Sequence, residues 1–151
     1  MKVPKGWQAA REPVGRIGEP REILSVATFP LRHQPTDCEA FAGSARRDLG
    51  PRDAFLTVLE RGHDDDSRWS DFPPRPARFN RGVEEEDAEP ACGDQEGTTI
   101  YWRYLEDGGR HFHLLVAIGR DASLETRQEA WGILGSLRLD PEVRPKWPAS
   151  G

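Results

Sequence analysis

Residues 98–118 constrain this chain more than any other stretch, because two strand-like runs, residues 98–105 and 110–118, flank Asp107-Gly108-Gly109. Branched and aromatic side chains favour extended backbone, and a Gly-Gly pair between two such runs marks a hairpin. Side-chain parity then sets the expected register. With a three-residue loop Glu106 pairs with Arg110, and Ile100, Trp102 and Tyr104 share a face with Phe112, Leu114, Val116 and Ile118. A two-residue loop moves Phe112 and Leu114 to the face of Tyr101 and Arg103, dividing the apolar set between two sides. On the premise of a single apolar face the odd loop is expected, closed by Gly109 in a left-handed conformation.

After Gly119 the period changes from two to that of a helix. Ala130, Ile133, Leu134 and Leu137 form one stripe, Ser123 or Asp121 can cap the N-terminus, and Glu125 sits in the first turn. The stripe is expected to lie on the apolar face of the hairpin, with Gly132 and Gly135 off it. Upstream, residues 22–29 read as a strand bounded by Pro20 and Pro30, and residues 53–60 alternate as a central strand covered on both sides. Phe55, Thr57 and Leu59 then share one side, and Ala54, Leu56 and Val58 the other. Residues 37–49, stopped by Gly50-Pro51, predict a short helix with Ala40, Phe41, Ala45 and Leu49 inward, and residues 3–7 an early edge strand.

Between Gly62 and Gly97 regular periodicity fades, which predicts a long irregular surface connection that lays Phe72 and Phe79 back onto the fold. The expected architecture is therefore α+β, an antiparallel β-sheet packed by a C-terminal helix and a shorter helix. One domain over residues 1–140 and a flexible tail over residues 141–151 complete that expectation, since 151 residues suit a single core and the tail carries three prolines.

Twenty-six acidic against 21 basic residues give a net charge of −5, which opposes broad adhesion to phosphate backbones or anionic membranes. Nucleic acid is not an expected partner. No apolar run is long enough to span a bilayer, and Met1 to Trp7 lacks the apolar core of a secretory signal. The default expectation is a cytoplasmic protein, or an extracytoplasmic one if the sequence belongs to a larger membrane protein.

Several clusters invite chemistry. Cys38 and Cys92 are the only cysteines, and two readings stay open: a disulfide closing a long loop, worth about 4 kcal/mol on the chain-entropy argument, or two reduced thiols. Neither has a Cys or His at zinc-ligand spacing. His111 and His113 share a strand face from which a metal site can start, but the odd-loop register puts Arg103 opposite His113, so a solvated, metal-free face is the favoured reading. His63 with Asp64 to Asp66 lacks the spacing of a calcium loop, and Glu84 to Asp87 reads as a solvated acidic block. Pro73-Pro74-Arg75-Pro76 suits either an ordinary connection or a polyproline segment docking on a partner. Phosphate-binding, dinucleotide-binding, nucleophile-elbow and zinc-protease motifs are missing, and no cofactor is implied.

Val3-Pro4-Lys5-Gly6-Trp7 at the start, and a final hairpin and helix ending Ile133-Leu134-Gly135-Ser136-Leu137-Arg138-Leu139, resemble small α+β domains of the PsbP-like type. The segment Phe72 to Phe79, reading Phe-Pro-Pro-Arg-Pro-Ala-Arg-Phe, is similar to segments of uncharacterised bacterial domains. The resemblance implies an accessory or binding role and transfers no catalytic residue. The leading expectation is a non-catalytic interaction or accessory domain with another protein as partner. A second is a small-molecule-binding domain or enzyme whose pocket, between sheet and proline-rich connection, is lined by Trp69, Phe72 and Phe79. A third is the extracytoplasmic sensor part of a membrane protein, suggested by the two cysteines.

Overall fold

A computed structural model describes residues 1–10, 20–32, 43–61, 72–79 and 96–139. Cys38, Cys92, Trp69, the His63 and Glu84 clusters, the first part of the helix expected over residues 37–49, and the tail lie outside the described residues. Among the described residues five strands and two helices follow in the order β1 (Gln8–Ala10), β2 (Arg21–Ala27), α1 (Gly43–Asp48), β3 (Ala54–Arg61), β4 (Thr99–Asp107), β5 (Arg110–Ile118) and α2 (Leu124–Ser136). All neighbouring pairs are antiparallel, in the sheet order β1-β2-β3-β5-β4. The fold is thus α+β, an antiparallel sheet with the C-terminal helix packed on it and a short helix, as the sequence predicts.

β3 lies at the centre, and its continuous apolar run is explained by cover on both faces. Its Leu56 and Val58 join Val26, Tyr101, Leu105, Phe112, Leu114 and Val116 beneath Ala130, Ile133 and Leu134 of α2 and its C-cap residue, Leu137. On the opposite side Phe55 packs with Ala27, Phe29, Leu115 and Ala117 against Ala45 and Leu49, at the end of α1.

The hairpin loop corrects the expected register. Asp107 pairs with Arg110, so only Gly108 and Gly109 form the loop, at φ of 62° and 74°. Two successive positive φ angles suit the two-residue turn whose twist matches the strands, and glycine adopts them without steric cost. Tyr101, Arg103 and Leu105 therefore share a face with Phe112, Leu114 and Val116, while Trp102 and Tyr104 lie beside His113 and Leu115. Dividing the apolar residues costs nothing here, because protein covers both sides. Tyr101 and Leu105 are each 2% exposed under α2, and Ile100 is buried on the α1 side.

The N-terminal expectation also changes. Residues 3–7 do not form the edge strand, which begins at Gln8. Gly6, at φ 93°, completes a turn in which the Trp7 amide donates to the Pro4 carbonyl at 3.3 Å. This turn delivers Trp7 into the core, where its indole N–H donates to Glu129 Oε2 at 2.8 Å. Such a bond satisfies the one polar atom of a ring otherwise suited to burial.

α2 begins as its sequence predicts. Ser123 is the N-cap, and its hydroxyl accepts from the Thr126 amide at 3.0 Å. Gly132 points into open space, with nothing within 4 Å of where a Cβ would stand. Gly132→Ala is therefore expected to stabilise the protein by about 1 kcal/mol, by removing backbone freedom from the unfolded chain. A urea unfolding curve with an unchanged midpoint would contradict this.

Candidate functional site

Residues 72–79 form a strap across the outer edge of the sheet, and their composition dictates how it attaches. Proline has no N–H, so within Pro73-Pro74-Arg75-Pro76 only Arg75 can donate from the backbone. That donor reaches the Glu106 carbonyl at 2.8 Å, while the Glu106 amide donates to the Pro73 carbonyl at 2.8 Å. One parallel bridge, Pro74 to Glu106, results. The one backbone donor of this run is thus committed to β4.

Crossing the edge separates the two phenylalanines. Phe72 lies on the α1 side, with ring centres 5.4 Å from Tyr104, 5.2 Å from His111 and 5.4 Å from His113. Phe79 packs against the α2-side core. They therefore do not line one pocket, and Trp69 is outside the described residues.

His113 is 4% exposed, which corrects the expectation of a solvated histidine face. Tyr104, not Arg103, stands opposite it, with the two rings 4.7 Å apart and nearly perpendicular. Arg61 Nε donates to His113 Nε2 at 3.4 Å, so that nitrogen is the unprotonated one. Burial first, and the Arg61 cation second, lower the imidazole pKa from 6.5 to about 4. The folded state thus favours neutral His113, while the unfolded chain takes up a proton below pH 6.5. Stability is full above pH 6.5 and falls as pH drops from 6.5 towards 4, by about 2 kcal/mol after allowance for relaxation of the site. Denaturant titrations at pH 7.5 and 4.5 test this: His113→Gln is expected to lose less stability than the parent over that interval, and an equal loss would contradict the assignment. Among the described residues no group of three or more His, Cys, Asp or Glu converges on a metal position.

On the other side of the strap lies a hollow of about 490 Å³, bounded by Arg75, Phe79, Asp107, Gly135, Arg138 and Leu139. Among the described residues three distant segments build it: the strap, the hairpin end and the C-terminus of α2. Arg75 holds them together. Its NH1 meets Asp107 Oδ2 at 2.9 Å, its NH2 donates to the Leu137 carbonyl at 2.6 Å, and its guanidinium stands 5.3 Å from the Phe79 ring centre. Arg138 NH1 donates to the Gly135 and Leu137 carbonyls at 3.1 and 2.8 Å. Both guanidiniums thus answer carbonyls at the helix end that have no partner within the helix.

Of the residues singled out from the sequence, Phe79 contributes to the hollow and Phe72 does not. Arg75, Asp107 and Arg138 are not legible as a group in the sequence. No known protein family matches the chain, nor does any curated protein or solved structure. The resemblance to PsbP-like domains draws no support from these comparisons. Among the described residues, no helix is long and apolar enough to cross a membrane.

Proposed function

We propose that this chain is a non-catalytic interaction domain that engages a partner protein at the hollow between the strap and the C-terminal end of α2. The observation that supports this reading is the hollow itself. The groups around it are suited to holding a ligand: an aromatic ring and an aliphatic side chain offer apolar contact, and an exposed guanidinium offers directed hydrogen bonds. Arg75 and Asp107 are engaged with each other, so their part is to fix the shape of the rim.

Gly135 provides a direct test. It lines the hollow, and nothing lies within 4 Å of where its Cβ would stand, so a tryptophan there fills the hollow without disturbing the core. Immobilised parent protein is expected to retain a specific protein from native extract that Gly135→Trp, verified as folded by circular dichroism, does not retain. Equal retention by both, or by neither, would remove the basis for the proposal.

A second reading, a small-molecule-binding domain, draws on the volume, which falls within the roughly 300–1,000 Å³ usual for such sites. Under that reading low-molecular-weight material from the extract, freed of protein, raises the melting temperature of the parent and not of Gly135→Trp.

A further inference from the structure

We infer that the occupant of the hollow is the C-terminal end of a partner polypeptide, with its terminal apolar side chain against Phe79 and Leu139 and its free carboxylate at Arg138. This rests on the reading of the hollow as an interaction site and adds the chemistry of the ligand. The case is one of charge balance. Asp107 is the one acid among the described lining residues, and Arg75 neutralises it at 2.9 Å. Arg138 is exposed and donates to the Gly135 and Leu137 carbonyls; among the described residues no carboxylate pairs with it.

The helix end works against an anion, since its carbonyls carry a partial charge of roughly −0.5. Arg138 contributes a full positive charge against it, and Arg75 NH2 already takes up the Leu137 carbonyl at 2.6 Å. Over the described lining residues the remainder is about half a positive charge, in a chain whose net charge is −5. An anion is therefore favoured locally although the whole molecule repels it. Only NH1 of Arg138 is used on the carbonyls, so the guanidinium retains donors for a carboxylate, the group its fork geometry fits best. The apolar wall formed by Phe79 and Leu139 selects the side chain beside that carboxylate. Capture of a terminal carboxylate beside an apolar pocket is an established way of reading a peptide end.

The test uses pentapeptides ending in Leu or Phe, each as free acid and as C-terminal amide, titrated into the full chain while amide shifts are followed by NMR. Free-acid peptides are expected to shift Phe79, Gly135, Arg138 and Leu139, and to bind at least tenfold more tightly than the amides. Arg138→Gln is expected to bring the acids down to the affinity of the amides, whereas Arg138→Lys keeps part of the difference. If acids and amides bind the hollow equally, the carboxylate assignment is wrong and the interaction site stands. If no peptide shifts these residues while a protein from extract is still lost on Gly135→Trp, the occupant is another surface and the inference is overturned. Binding of isocaproate or hydrocinnamate with the affinity of the peptides would overturn it in favour of a small carboxylate.

Discussion

Gly119→Ala is expected to destabilise the protein by about 3 kcal/mol or more, although it adds one methyl group. Gly119 follows β5 and lies directly against the Gly50-Pro51 turn that leads into β3. A Cβ there would stand 2.5 Å from the Gly50 carbonyl oxygen and 2.6 Å from the Pro51 carbonyl carbon. Those atoms are backbone, so no rotamer change relieves the overlap. The two segments are also joined by hydrogen bonds, from the Gly119 amide to the Asp53 carbonyl at 2.8 Å and from the Asp121 amide to the Pro51 carbonyl at 2.7 Å. Forcing them apart loses about 1 kcal/mol for each bond in addition to the strain. Arg127 fixes the same corner by donating to the Gly119, Arg120 and Ala122 carbonyls. Urea unfolding monitored by tryptophan fluorescence measures the loss; a change below 1 kcal/mol would show that the corner yields.

The second large effect concerns Glu60 and Arg110. Arg110 Nε donates to Glu60 Oε1 at 2.5 Å and NH2 to Oε2 at 2.8 Å, with the glutamate side chain 4% exposed. The guanidinium also stands 5.1 Å from the Phe112 ring centre. Arg110→Met leaves a buried carboxylate without its cation and is expected to cost about 3–5 kcal/mol. The double variant Glu60→Met/Arg110→Met removes both charges together and is expected to recover most of that loss, because burying the charges in the first place opposes folding. A double variant no more stable than Arg110→Met alone would show that the pair contributes through packing and not through charge compensation.

Legibility in the sequence followed the range of the determining interactions. α2 could be read in detail because each of its signals is local: the cap, Ser123, bonds the Thr126 amide three positions on, and successive members of the stripe Ala130, Ile133, Leu134 and Leu137 lie no more than three positions apart. β3 could be read because cover on both faces leaves a continuous apolar run. The hairpin is legible but its register is not, since parity alone does not say whether α1 and residues near Phe29 cover the second face. His113 reads as solvated for a related reason: the odd loop puts Arg103 opposite it, and nothing local shows that Tyr104, Phe72 and Arg61 surround it. Trp7 was placed in a strand because its turn depends on Gly6 adopting a positive φ and on Glu129, 122 positions away. The hollow was least legible: Arg75, Asp107 and Arg138 meet only after strap, hairpin and helix are assembled, and no local spacing records that meeting.

Site-specific photocrosslinking tests the central claim most directly. Leu124 and Gly135 both lie exposed on α2, but Leu124 is at the opposite end of the helix and only Gly135 borders the hollow. With benzoylphenylalanine at one position or the other, the account predicts that irradiation in native extract joins a discrete partner to the protein carrying the probe at position 135, and none at position 124. The same products from both positions, or none from position 135, would contradict it.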